Sequence, residues 1–83
     1  MKIYSEEIIK NTFVEVSLEG SSLIINNKNY NNIYSIIVSF YYNSYSIKGF
    51  DFYERNIFTI FNNSFSYLEF IKLSNNCYTL KIS

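Results

Sequence analysis

Eighty-three residues make one small domain, and 7 basic against 7 acidic groups leave no net charge. With no His, one Cys and two Gly, the chain excludes a nucleophile–His pair, an internal disulfide, a two-Cys metal site and a glycine-rich phosphate loop. Ile, Val, Thr, Tyr and Phe supply 36 of the 83 residues and Ala none, a balance that suits pleated strands and disfavours helices.

With no Pro and only Gly20 and Gly49, Asn and Ser must mark the turns. Asn tolerates left-handed backbone and bonds its own main chain locally. The N-terminal stretch 5–11 (SEEIIKN) offers a Ser N-cap, two acids in a first turn and Ile8-Ile9 behind them, which predicts a short helix. Strand-length segments follow at 12–18, 22–25, 33–42, 45–53, 57–61, 65–73 and 77–82, separated by Asn- and Ser-bearing turns, with 26–32 (NNKNYNN) read as a loop. Val14, Val16 and Leu18 alternate with Glu15, Ser17 and Glu19; Ile36, Val38, Phe40 and Tyr42 oppose Ser35 and Ser39; Tyr78, Leu80 and Ile82 oppose Thr79 and Lys81. This period of two places the first set of each on a core. Gly49 interrupts a strand pattern and predicts a bulge. Segment 64–72 is ambiguous. Phe65, Leu68 and Ile71 recur at three, as in a helix, while a strand there would form a hairpin with 77–82.

The expected fold is therefore all-β over residues 1–83: a small antiparallel meander of about six or seven strands, folded as a sandwich or partly open barrel. A short N-terminal helix accompanies it, and the alternative is an α+β fold with a helix near 64–72. No apolar run approaches the roughly 18 residues of a membrane span, and the N-terminus lacks the apolar core of a signal peptide. The expectation is a cytoplasmic protein in a reducing compartment, without membrane attachment.

No catalytic set can be assembled, so an enzyme is not expected, nor a cofactor or a metal site. Cys77, at the start of a strand, reads as a half-buried structural Cys. Glu6-Glu7 and the pair Asp51 and Glu54 read as solvated charges, since nothing points to a pocket that would tune them. Asn62-Asn63-Ser64 fits a glycosylation sequon but reads as a turn.

What remains is aromatic. Nine Tyr and eight Phe exceed what one thin sandwich can bury, so the surplus should lie on surfaces and mark an interaction site. The candidate partner-binding residues are Tyr30, Tyr41, Tyr45, Phe50, Asp51, Phe52, Tyr53 and Glu54. The expected function is a non-enzymatic protein-binding module, an inhibitor that occludes a host enzyme or complex. The small size and a composition weighted to AT-rich codons resemble, in style and without any shared motif, the accessory proteins of phages and other mobile elements, anti-CRISPR proteins among them. A phage-encoded chain of this kind would work in the host cytoplasm. A homodimer or larger assembly built on an exposed strand edge is the first alternative. A single-strand nucleic-acid or nucleotide binder is the second, disfavoured by zero net charge. It would need Lys28, Lys48, Arg55, Lys72 and Lys81 to converge on one face.

Overall fold

The computed structural model describes residues 1–7, 12–42, 44–63 and 68–82. They form nine strands and no helix: β1 (Lys2–Glu7), β2 (Thr12–Ser17), β3 (Ser22–Ile25), β4 (Lys28–Tyr30), β5 (Ser35–Phe40), β6 (Tyr45–Phe50), β7 (Asn56–Asn62), β8 (Leu68–Lys72) and β9 (Cys77–Ile82). The all-β expectation holds. No described helix is long and apolar enough to cross a membrane.

The strands build two layers, a larger sheet in the order β2-β1-β5-β6-β7 and a smaller one in the order β4-β3-β9-β8. Neither closes into a barrel, and the chain is not a simple meander. Sequence neighbours pair as antiparallel hairpins, but β1 lies parallel to β5 and β3 parallel to β9. These two parallel contacts stitch hairpins together within each sheet. Tyr30 of β4 meets Phe58 of β7 at 4.8 Å between ring centroids, so those two edges face each other across the core. The core itself is Ile3, Leu23, Ile25, Ile33, Ile36, Val38, Tyr45, Ile47, Phe58, Tyr78 and Leu80.

Two strands escaped the sequence reading. The first is β1, where a helix was expected from residue 5; Ser5–Glu7 belong to the strand, and residues 8–11 lie outside the described residues. A helix of one or two turns leaves most of its own N–H and C=O groups unpaired. As a strand the same residues are hydrogen-bonded on both sides, to β2 and to β5, with Ile3 in the core and Glu6 accepting a 2.8 Å bond from Ser39 Oγ. The second is β4, hidden inside the Asn-rich loop. Asn26 and Asn27 have φ of 49° and 66°, which makes them the two central residues of a type I′ hairpin turn between β3 and β4. Asn32 and Gly20 also sit at positive φ, so Asn does take over the punctuation that Gly and Pro usually supply. Gly20 packs on the Asn76 backbone, 2.5 Å from where a Cβ would stand, and leaves no room for a side chain.

Segment 68–72 is a strand in an antiparallel hairpin with β9, not a helix; residues 64–67 fall outside the described residues. The bulge at Gly49 is present as a register shift between Gly49 and Phe50. The Phe58 ring lies over Gly49 where a Cβ would point, which explains the missing side chain.

The alternation rule succeeds on β5 and β9 and fails on β2. Ile36, Val38, Tyr78 and Leu80 are buried as expected. Val14 and Val16, with the same pattern, are 56% and 49% exposed. They lie on the edge strand of the larger sheet, and Val16 borders an open cleft across from Leu68 and Phe70 of β8. Tyr42 is exposed too, because β5 ends at Phe40 and the chain turns.

A clamped aromatic loop as the candidate functional site

The β6–β7 connection, residues 51–55, gathers four of the eight expected contact residues. Asp51 organises it. Its Oδ1 accepts from the backbone N–H of Tyr53 and of Arg55, both at 2.9 Å, and its Oδ2 accepts from Arg55 Nε at 2.8 Å. The main chain closes the same loop, with Asp51 N–H donating to Arg55 O at 3.0 Å and Glu54 N–H to Asp51 O at 3.1 Å. This is a side-chain-mimicked turn of the kind short acidic residues make. The Arg55 backbone N–H above all, with the Arg55 side chain and the Tyr53 N–H adding to it, outweighs the opposing desolvation and holds the Asp51 carboxyl below its ordinary 3.8.

The clamp leaves Glu54 at φ 63°, a left-handed conformation that costs a side-chain-bearing residue roughly 1–2 kcal/mol. It also points two rings outward. Phe52 is 68% and Tyr53 73% exposed. They meet edge to face at 5.5 Å, Phe52 meets Tyr34 edge to face at 5.2 Å, and Arg55 stacks over Tyr53 at 5.2 Å. The result is a contiguous row, Tyr34–Phe52–Tyr53–Arg55, at one end of the larger sheet. Shallow concavities of about 310 Å³ lie on either side. Asn32, Asp51, Phe52, Tyr53 and Arg55 line one; Ser35, Ile37, Phe50 and Glu54 line the other.

The other expected residues divide. Phe50 lies half-buried at the end of β6, against the second concavity, and so belongs to the site. Tyr30 is half-buried against Phe58 with Lys28 5.3 Å from its ring centre, and it faces inward. Tyr41 stands at the opposite end of the larger sheet, in the β5–β6 turn, where it and Tyr42 border a separate concavity with Glu7 and Phe40. Tyr45 corrects the expectation outright. It is fully buried, with its hydroxyl accepting from Asn62 Nδ2 at 3.3 Å, and is a core residue. The reason is parity: Tyr45 and Ile47 share the inward face of β6, while Lys48 and Phe50 flank Gly49.

The residues that sequence reading missed are Tyr34, Arg55 and Asn32. Tyr34 was legible in principle. Pairing Phe40 with Tyr45 fixes the β5–β6 register, and the same register carried outward sets Tyr34 beside the 51–55 loop, where its N–H donates to Phe50 O at 2.8 Å.

Among the described residues, no three His, Cys, Asp or Glu groups gather as a metal site would require. Cys77 is half-buried, as expected. The cations do not share a face. Lys48 projects from the outer side of the larger sheet; Lys81 is paired in register with Glu69 on the smaller one. Arg55 is bound to Asp51, and Lys72 lies 3.6 Å from Glu19. No family model, no curated protein and no solved structure matches this chain.

Proposed function

We propose that the chain is a non-enzymatic protein-binding module that acts by steric occlusion, docking its Tyr34–Phe52–Tyr53–Arg55 end on a protein partner. The observation that carries this reading is the clamp on Asp51. Exposed aromatic rings are costly to leave in water, and a contiguous group of them on a soluble surface marks an interaction site. Rings on a flexible loop would lose entropy on binding, whereas rings fixed by five hydrogen bonds within the loop have much of that cost removed in advance. Tyr, Phe and Arg are also the side chains that give large contact area with few rotatable bonds. The partner class is a host enzyme or complex, in the style of the small inhibitors that phages and other mobile elements carry.

The test is an affinity capture from host lysate with and without nuclease. A stoichiometric protein that persists after nuclease digestion, and that Tyr53→Ala no longer retains, supports the reading. A partner lost with nuclease, or one retained equally by Tyr53→Ala and Phe52→Ala, overturns it.

One observation favours a second reading, self-association. Edge strand β2 is solvent-exposed on both faces from Phe13 to Ser17, and such an edge can extend a sheet into a second copy. Light scattering of the pure protein separates monomer from dimer.

A further inference from the structure

The edge position of β2 opens an apolar cleft of about 330 Å³ between the sheets, lined by none of the aromatic-loop residues. Ile3 and Val38 form its floor, with Val16 and Leu18 on one side and Leu68 and Phe70 on the other. Ser5 is the one polar residue among the described lining. A bound water needs two to four polar partners, so water is poorly held there. A dry enclosed cavity of about 150 Å³ takes a benzene ring; this open cleft, about twice as large, has room for a longer apolar body.

A cation adjoins the cleft. Lys72 follows Leu68 and Phe70 on the inner row of β8, since its register partner Tyr78 faces the core. Its ammonium reaches across the gap between the sheets to Glu19, next to Leu18, at 3.6 Å. Both side chains are well exposed, at 48% and 74%, and the distance exceeds a good hydrogen bond, so this pair is weak and exchangeable. A cation that adjoins an apolar cleft through the row of Leu68 and Phe70, and that can exchange Glu19 for another carboxylate, is the complement of a molecule with one anionic end and a long apolar body.

We propose that this cleft binds an unbranched aliphatic carboxylate, with its tail between β2 and β8 and its carboxylate on Lys72 in place of Glu19. The proposal is independent of the aromatic loop and of the protein partner.

The experiment is a titration of the whole chain with dodecanoate below its micellar concentration, followed by calorimetry and by methyl chemical shifts. The expected result is saturable one-to-one binding, with shifts at Val16, Leu18 and Leu68. Lys72→Ala should weaken it by about tenfold or more, the worth of one charge-assisted contact. Dodecanol should bind the wild type about as weakly as dodecanoate binds Lys72→Ala. Glu19→Gln, which removes the competing carboxylate, should tighten dodecanoate binding. Val16→Glu should abolish it; Val16 is half-exposed, so this variant should keep the wild-type circular dichroism. Absence of saturable binding, equal affinity for dodecanoate and dodecanol, or shifts centred on Tyr34 and Tyr53 would each overturn the proposal.

Discussion

Strands β5 and β2 carry nearly the same instruction and meet opposite fates. Each alternates branched apolar residues with polar ones, Ile36-Val38-Phe40 on β5 and Val14-Val16-Leu18 around β2. On β5 the inward residues Ile36 and Val38 lose all contact with solvent; on β2 Val14 and Val16 keep about half of theirs. The difference lies in what stands opposite. β5 sits third of five strands, whereas β2 is an edge strand whose inner face meets β8 only across an open cleft. Alternation thus says that two faces differ; it does not say that either is covered. The covered part of the sheet gives the 51–55 loop a rigid base, and the edge position of β2 gives the molecule its cleft.

The comparison can be pressed hardest at its buried end. Ile36→Ala removes a fully enclosed side chain and should cost about 2–5 kcal/mol, read from the urea midpoint. For so small a domain that is a large share of its total stability. A loss as small as that from a β2 substitution would show that the two strands do not differ as described.

The next effect is at the loop that the covered strands support. Tyr53→Ala should weaken partner binding by more than about 1 kcal/mol while the urea midpoint stays near wild type. An unchanged affinity would separate the rigid loop from any role in recognition.

The clamp itself has a pH signature. Asp51 titrates below its ordinary value in the folded protein, so the unfolded chain binds the proton first as pH falls. The contribution of Asp51 to stability is therefore complete above about pH 4 and is lost as pH drops through its folded value. In Asp51→Asn this part of the acid sensitivity should be missing from midpoints measured between about pH 5 and pH 2.

The smallest expected change is on the edge strand β2. Val14→Ser should alter stability by less than about 0.5 kcal/mol, as exposed positions do. If it instead destabilises by as much as Ile36→Ala, β2 is covered in solution, and light scattering should then show a second copy.

Much of this was legible in the chain, and what was legible was local. The turn at Gly20, the bulge at Gly49, and the pairing of β5 with β6 and β8 with β9 each depend on residues a few positions apart. The candidate residues Phe50, Asp51, Phe52, Tyr53 and Glu54 were picked out because they are contiguous, but 51–53 were expected to continue the strand 45–53, and β6 instead ends at Phe50. Tyr45 was misplaced because the aromatic surplus was counted without fixing the parity of β6. Tyr34 was missed because its place beside Phe52 depends on register. Residues 26–32 read as a loop because their composition hid a three-residue strand behind a type I′ turn.

The sequence by itself determined the β class, the β5–β6 and β8–β9 hairpins and the Asn- and Ser-marked turns, since each rests on backbone preferences and short-range hydrogen bonds. Only the tertiary structure decided that β1 joins β5 in parallel, that β3 joins β9, and that four strands face five. Those choices depend on burying apolar faces brought together from distant parts of the chain, and no local pattern specifies which face finds a partner.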